Sequence, residues 1–367
     1  DPLSPENKLI YITGPMTGAA APSTGRYMVV TKSPLTGMIA SSNSGGIWGQ
    51  KLKYAGWDAL IVEGASEGWK YLNIEDDKIE LHNAEDMVGM FSEKVDEVLK
   101  EKHGEDASVL NIGPAGENKV LYAAVMSGER AHGRGGVGAV FGDKKIKAIT
   151  AKGFKHPTIV DEEGFRKLTR KWSTTLRNHA LTGRQVPQLG TAGLVTPMQA
   201  RNILATKNFN RGQFDGFDKV SGETLAETRL LRNSGCTTCV IQCTRRCEVD
   251  GKDVKGPELE ILGLMGPNLL NDDLDAIIRW NYLIDEMGMD TISTANTIAW
   301  AMEANEQGLW DNGLKFGSVE ELSAIFDDIA HRRGIGDELA EGSKRLSKKY
   351  GGKDSMSTDS SFSCICS

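Results

Sequence analysis

The stretch Gly128-Glu-Arg130-Ala131-His132-Gly133-Arg134-Gly135-Gly136-Val-Gly138 decides how the first half of this chain is read. It carries G-x-G-x-x-G at Gly133, Gly135 and Gly138, the spacing of a dinucleotide-binding turn. Such a turn needs a strand running straight into it and an acidic residue further on to hold a ribose. No clean strand leads into Gly133, and the acid is not at its expected place, so a doubly wound nucleotide fold is rejected. What remains is a loop whose glycines let backbone N–H groups crowd an anion, with arginines able to grip phosphate bidentately. A second region, Gly25-Arg26-Tyr27 with Ser42-Asn43-Ser44-Gly45-Gly46, has the same character. Paired loops of this kind suit a ligand with more than one phosphate. Tight turns in a β domain are the plainer alternative.

Around these loops, residues 1–156 read as short strands separated by glycine turns. Lys8–Thr13, Tyr27–Lys32, Ala59–Glu63, Trp69–Ile74, Ser108–Ile112, Tyr122–Met126 and Ala148–Ala151 are rich in Val, Ile and Tyr and bounded by Gly or Pro. Ser92–Lys102 spaces its apolar residues for one helical face, and Ile47–Tyr54 and Val137–Phe141 are further short helices. An internal repeat is visible. Ile12-Thr-Gly14-Pro15 is echoed by Ile112-Gly113-Pro114, and Gly45-Gly46 before Ala59–Gly64 is echoed by Gly135-Gly136 before Ala148–Gly153. The first domain is therefore expected to be a β domain with two related halves.

From residue 157 the pattern turns helical, with candidates at Glu162–Asn178, Gly222–Arg232, Asp272–Glu286, Thr291–Gln307, Val319–Arg333 and Asp337–Lys349. Ser318-x-x-Glu321 reads as a capping box, and Gly334 and Gly351 read as helix stops. Residues 181–220 read as a long loop, which at that length often lines a site. The fold class is α+β, a β domain followed by a mainly helical one that spans 157–354. The last residues, 355–367, form a Ser-rich tail without pattern.

Four of the six cysteines lie in Cys236-Thr-Thr-Cys239-Val-Ile-Gln-Cys243-Thr-Arg-Arg-Cys247. Soft thiols at that density select an iron–sulfur cluster or zinc. Zinc sites usually pair two C-x2-C units, and here there is one. The dicluster-ferredoxin run has different spacing and a proline after its last cysteine. Three or four ligands for one cluster is the preferred reading, with zinc and packed thiols left as alternatives. Asp285-Glu-Met-Gly288-Met-Asp290 places carboxylates at a helix C-terminus, where they oppose the macrodipole. They suit amino groups of a heterocycle, or simply a solvated helix end.

Composition limits the rest. The chain has 367 residues, 25% charged and 39% hydrophobic, with a net charge of −7, which argues against nucleic-acid or membrane-surface binding. There is no membrane-length apolar run and no secretory signal. Clustered rather than dispersed cysteines suggest a reducing, cytoplasmic setting.

Together these motifs resemble the tungsten-containing aldehyde ferredoxin oxidoreductase family, from the first residue to about Asp354. The carrying segments are Asp1–Lys8, Gly25-Arg26 through Gly37, Asn43-Ser-Gly-Gly46, Gly113-Pro-Ala-Gly-Glu-Asn118, Arg130 through Gly138 and Asp290-Thr-Ile-Ser-Thr294. The resemblance implies a pseudo-two-fold β domain under a bis-pterin cofactor. That cofactor holds tungsten, or molybdenum in some relatives, with a Mg2+ ion bridging the pterin phosphates. It assigns Arg26, Asn43, Gly45, Arg130, Ala131, Gly133 and Arg134 to pterin and phosphate, with Arg26 between pterin and cluster. Asp285, Met289 and Asp290 match the family's second pterin motif, with Met in place of Leu. Cys236, Cys239 and Cys243 match three ligands of one 4Fe-4S cluster, and His132 is a possible cofactor hydrogen-bonder. Glu258 and Glu260 match acidic positions near the metal, Glu260 being the candidate for substrate positioning or proton transfer.

The implied reaction oxidises an aldehyde to a carboxylic acid and passes electrons through the cluster to ferredoxin. A non-catalytic iron–sulfur electron-transfer subunit on the same scaffold is the alternative. Departures from the pattern carry expectations of their own. Roughly 50 N-terminal residues and the C-terminal domain with the fourth cluster ligand lie outside this sequence, so the fragment is expected to be inactive alone. Cys247 is either a stand-in ligand or a packed thiol. The family's E-x-x-H iron bridge reads Arg279 and Tyr282 here, so any homodimer would lack that iron.

Overall fold

The computed structural model describes residues 1–352. The first sheet is fully antiparallel in the order β3-β2-β1-β4, with β1 at Leu9–Thr13, β2 at Tyr27–Lys32, β3 at Ile39–Ser44 and β4 at Ala59–Val62. Alternation builds it: Leu9, Tyr11 and Thr13 of β1 point inward while the residues between them are more exposed.

The second sheet contains β5 (Lys70–Glu75), β6 (Lys78–Asn83), β7 (Ser108–Asn111), β8 (Val125–Ser127), β9 (Arg130–His132) and β10 (Ile146–Lys152), in the order β6-β5-β10-β7-β8-β9. Within it the run β9-β8-β7-β10 reproduces β3-β2-β1-β4 strand for strand, again antiparallel. Each half also places a short helix between its third and fourth strands, Trp48–Tyr54 and Val137–Asp143. The internal repeat is thus a repeat of topology, and the β5–β6 hairpin, added to β10, is the main departure from it. The halves interlock: the indole N–H of Trp48 donates to the Ile149 carbonyl at 3.0 Å, inside a shared core with Tyr11, Phe141 and Val95.

Strands β3, β6 and β9 were not expected from sequence. Ile39–Ser44 is largely polar and Arg130–His132 is only three residues long, so neither shows strand patterning. A strand does run into the glycine loop, but it is an antiparallel edge strand paired with β8, so no βαβ nucleotide unit forms. Tyr122–Ala124, expected as strand, instead borders the helical lobe through an Ala123–Met289 bridge.

The second lobe is not wholly helical. Around the cysteine stretch lies a third antiparallel sheet of β11 (Leu230–Ser234), β12 (Thr244–Val249) and β13 (Lys252–Lys255). The expected helix through Arg232 stops at Thr228. The 181–220 segment contains short helices, including Val186–Leu189 and Val195–Ala200, before an irregular run. The capping box is not made: Glu321 precedes the helix Leu322–Ala330 without a side-chain cap, and Ser318 reaches Glu320 at 3.5 Å. Asp337–Lys349 is broken into Ile335–Leu339, which ends at Ala340, and Ser343–Tyr350, which starts after Gly342 at φ 84°. Gly351 closes the last helix at φ 99°.

At the centre lies Thr291–Glu306, buried almost all round, against Leu259–Met265 and Leu274–Met287. Residues Ala115 and Val120–Ala123 of the β lobe belong to this helical core. The expected tail, with Cys364 and Cys366, lies outside the described residues.

Candidate cofactor and cluster site

The cysteine stretch is the connection between β11 and β12. Cys236 starts a tight turn in which the Cys239 N–H donates to the Cys236 carbonyl at 3.0 Å. Thr238 and Gln242 adopt positive φ, 62° and 49°, so the loop holds a conformation that side-chain-bearing residues seldom choose. The first half of the β lobe clasps it. Thr238 Oγ1 donates to the Ala21 carbonyl at 2.8 Å, and Ser23 Oγ lies 3.9 Å from Cys239 Sγ. Gly45 is the closest approach: a Cβ there would stand 2.7 Å from Cys236 Sγ. Only glycine fits between β3 and that sulfur.

Arginines line the junction. Arg26 Nη1 donates to Asn43 Oδ1 at 3.0 Å, and Arg26 Nε lies 3.9 Å from the same Gly45 Cβ position. Arg130 crosses from β9 to the cysteine loop, donating to Thr244 Oγ1 at 2.5 Å and pairing with Glu258 Oε1 at 3.7 Å. Burial opposes its charge, yet Cys236, Glu258, Cys243 and Glu129 hold its pKa above the ordinary value. Arg134 binds Asp290 Oδ2 at 2.7 Å and Ser293 Oγ at 3.1 Å. Asp290 caps the central helix by accepting from the Ile292 and Ser293 N–H groups.

The Asp285–Asp290 turn is wedged between lobes. Gly288, at φ 74°, ends the helix Leu274–Met287, its carbonyl accepts from Ala124 N–H, and the Asp290 N–H donates to the Tyr122 carbonyl. Gly113 packs so closely there that a Cβ would fall 2.4 Å from the Met287 carbonyl oxygen. Asp285 Oδ2 pairs with Lys255 Nζ at 3.1 Å. Burial disfavours the Lys255 charge, but Asp285 and Glu258 hold its pKa above the ordinary range.

The structure therefore gathers Arg26, Asn43, Gly45, Arg130, Cys236 and Cys243 at one junction. Gly133, Arg134 and Asp290 form a second group on the β9 side, where a Cβ on Gly133 would lie 3.6 Å from Asp290 Oδ1. Ala131 lies on β9 opposite Met126, the position that Asn43 holds opposite Met28 on β3. Met289 is buried at the lobe boundary. Glu258 precedes the helix Leu259–Met265, and Glu260, in its first turn, makes no hydrogen bond or ion pair among the described residues.

Cys247 is separated from the other three. It lies on β12 with no exposed surface, within the helical core, and burial pushes its thiol up to about 11. It is a packed thiol. Among the described residues, no three His, Cys, Asp or Glu side chains converge on one point as a single zinc ion requires. The three part-buried thiols on this loop, beside Arg130, are a donor set that an iron–sulfur cluster could use. A cleft of about 470 Å3, lined by Cys236, Arg130, Gly46, Lys51 and Lys100, opens onto the loop. His132 is fully buried and turned into the seam between the halves.

Sequence reasoning missed Thr244, Lys255 and Ser293. Ser293 had a signal, an Asp followed three residues later by Ser at a helix start; Thr244 and Lys255 acquire roles only through the unexpected third sheet. Arg279 and Tyr282 have partners within the chain: Asp250 at 2.7 Å and Glu93 at 2.7 Å.

A topologically duplicated β lobe thus presents paired arginine–glycine loops to a second lobe that carries the cysteine loop. The chain belongs to the aldehyde ferredoxin oxidoreductase family: residues 1–153 match "Aldehyde ferredoxin oxidoreductase, N-terminal domain", and residues 167–360 match "Aldehyde ferredoxin oxidoreductase, domains 2 & 3". It is 45% identical over 364 residues to the tungsten-containing aldehyde ferredoxin oxidoreductase of Pyrococcus horikoshii, covering 96% of this chain and 60% of that protein. It is 30% identical over 375 residues to the "Aliphatic sulfonate oxidoreductase, WOR-like subunit" of Pyrococcus furiosus, covering 95% of this chain and 59% of that one. Among solved structures it resembles the active-site complex BamBC of benzoyl coenzyme A reductase bound to 1,5-dienoyl-CoA, with a TM-score of 0.85 and 29% identity over 97% of this chain and 56% of that one. The chain thus spans about 60% of the length of the curated relatives it matches. No helix among the described residues is long and apolar enough to cross a membrane.

Proposed function

We infer that this chain is the cofactor- and cluster-bearing part of a tungsten-type aldehyde oxidoreductase. The observation that carries the reading is the contact of Gly45 with Cys236 Sγ, which sets a cofactor loop directly against the cysteine loop. When bound, the pterin-held metal would supply the two-electron oxidation of an aldehyde with water to a carboxylic acid, releasing two electrons and two protons.

The chain's own residues supply the surroundings. Arg26, Arg130 and Arg134 would offset the charge of bound phosphate groups, with Mg2+ as a further counter-charge. Asp285 keeps lone pairs beyond the one given to Lys255 and would accept hydrogen bonds from amino groups of a bound heterocycle, whereas the Asp290 carboxylate is taken up by Arg134, Ser293 and the Ile292 N–H. Cys236, Cys239 and Cys243 would hold an iron–sulfur cluster, which when bound would supply single-electron transfer to ferredoxin or a similar acceptor. Glu258 lies 3.7 Å from Arg130, while Glu260, whose side chain has no partner among the described residues, is the group assigned to substrate positioning or proton transfer.

Metal analysis after anaerobic purification tests this. Tungsten or molybdenum together with iron supports the reading. Iron without pterin supports the electron-transfer alternative, and zinc alone contradicts both.

A further inference from the structure

The two halves of the β lobe carry the same four strands, but only the second is closed over on its outer face. Register sets the correspondence. Ile12 stands between Met28 and Ala59 as Asn111 stands between Met126 and Ala148, and Ile10 is paired with Ile61 as Val109 is with Thr150. Asn111, Ala148 and Thr150 are fully buried and Val109 is 1% exposed, whereas Ile12 and Ile61 are 43% and 56% exposed. Ala59 is exposed as well. The open face is thus the more apolar of the two, with three isoleucines where its buried counterpart has Val, Asn and Thr. The edge differs in the same way. β10 pairs in parallel with β5, while the matching edge of β4 pairs with no strand among the described residues. Within Ala59-Leu60-Ile61-Val62 there is no charge or proline to blunt an open edge.

One contiguous stretch closes the second half. β5, β6 and the helix Ser92–His103 run directly ahead of β7. The helix crosses the sheet face. At its start the Ser92 carbonyl accepts from Asn111 Nδ2 at 3.2 Å. At its end His103 Nε2 lies 3.1 Å from the hydroxyl of Tyr71, which β5 sets opposite Ala148. Val95 and Leu99, one turn apart, carry its apolar stripe into the core with no exposed surface. The equivalent place in the first half is directly ahead of β1.

We propose that the outer face and free edge of the first half are a docking surface for a strand–strand–helix segment built like Lys70–His103. Its first strand adds in parallel to β4, and its helix lays an i, i+4 apolar stripe across Ile10, Ile12 and Ile61. Main-chain hydrogen bonds along β4 supply part of the recognition, and burial of the isoleucines supplies the rest. The surface follows from the duplication and not from the proposed activity, and its test reads no turnover.

The test uses the intact 367-residue chain and, as probe, a peptide comprising the residues that precede the matched region in the Pyrococcus horikoshii relative. Amide hydrogen exchange is followed with and without it. The outward amides of Ala59–Val62 are expected to slow about tenfold or more at saturating peptide, with β7 and β10 unchanged. Ile12→Lys/Ile61→Lys is expected to weaken peptide binding roughly tenfold or more. Both residues are exposed in the free chain, so this variant keeps a Tm near wild type. Exchange at β4 that the peptide leaves unaltered, or equal binding by the variant, would overturn the proposal. Slow exchange at β4 that rises with chain concentration in the absence of peptide would also overturn it, because a second copy would then occupy the edge. If the peptide does not dissolve, the same segment is fused ahead of Asp1, and unslowed exchange at β4 is equally decisive.

Discussion

The two halves of the β lobe, residues 9–62 and 108–152, share strand order, strand direction and an inserted helix, yet they meet the helical lobe differently. The first half approaches with bare backbone: Gly45 leaves no room for a methyl group beside Cys236. The second half reaches with long cationic side chains, Arg130 to Thr244 and Glu258 and Arg134 to Asp290. At the cysteine loop, one scaffold thus supplies steric contact from its first half and charge from its second, and specialisation there lies in the residues on and just beyond equivalent edge strands.

Gly45 follows β3 as Gly133 follows β9, so the same substitution at each gives the sharpest test. Gly45→Ala should abolish most iron incorporation, because its Cβ would fall 2.7 Å from Cys236 Sγ. Gly133→Ala should leave iron content near wild type, because its Cβ meets Asp290 at an ordinary 3.6 Å. Equal effects, measured as iron per chain after anaerobic reconstitution, would erase the distinction between the halves.

A second difference is internal. Lys147, on β10, is fully buried and donates to the Met90 and Ile112 carbonyls as well as pairing with Glu117. Lys147→Met should cost about 3–5 kcal/mol by urea unfolding, since it strands a buried carboxylate. A change below about 1 kcal/mol would show that this half is not anchored by the pair.

The seam and the lobe boundary titrate in opposite senses. His132 has a pKa of about 4 when folded, below its unfolded value of about 6.5, so its contribution is intact above pH 6.5 and is lost as pH falls toward 4. The full loss is roughly 3 kcal/mol. Glu286, whose Oε2 accepts from the Glu93 N–H at 2.9 Å, is raised by burial to about 7. Its contribution is present at low pH and lost as pH rises through 7. Glu286→Gln should therefore steepen the acid destabilisation between pH 4.5 and 6.5. Chemical denaturation across that window that shows a shallower slope would contradict the assignment.

Much of this arrangement was readable in the chain. The echoed glycine motifs announced a duplicated β lobe, because turns that need glycine repeat when topology repeats. The edge strands β3 and β9 did not announce themselves. Polar Ser41-Ser42-Asn43-Ser44 carries no alternation, and three residues at Arg130–His132 are too few to show a period. The third sheet was hidden for a related reason: arginines and cysteines occupy its central strand, and pairing rather than side-chain pattern makes it a strand. The site residues were legible as chemical types, whereas their partners Thr244 and Lys255 are set by tertiary contact. Cys247 looked like a fourth member of the cysteine run until strand register turned it into the core.

That separation of one thiol from three is also the most direct test of the central claim. Iron content and the EPR signal of the dithionite-reduced, reconstituted chain should be lost in Cys236→Ala and retained in Cys247→Ala, with ~4 irons per chain in the latter. A cluster that forms without Cys236 but disappears with Cys247 would contradict the account.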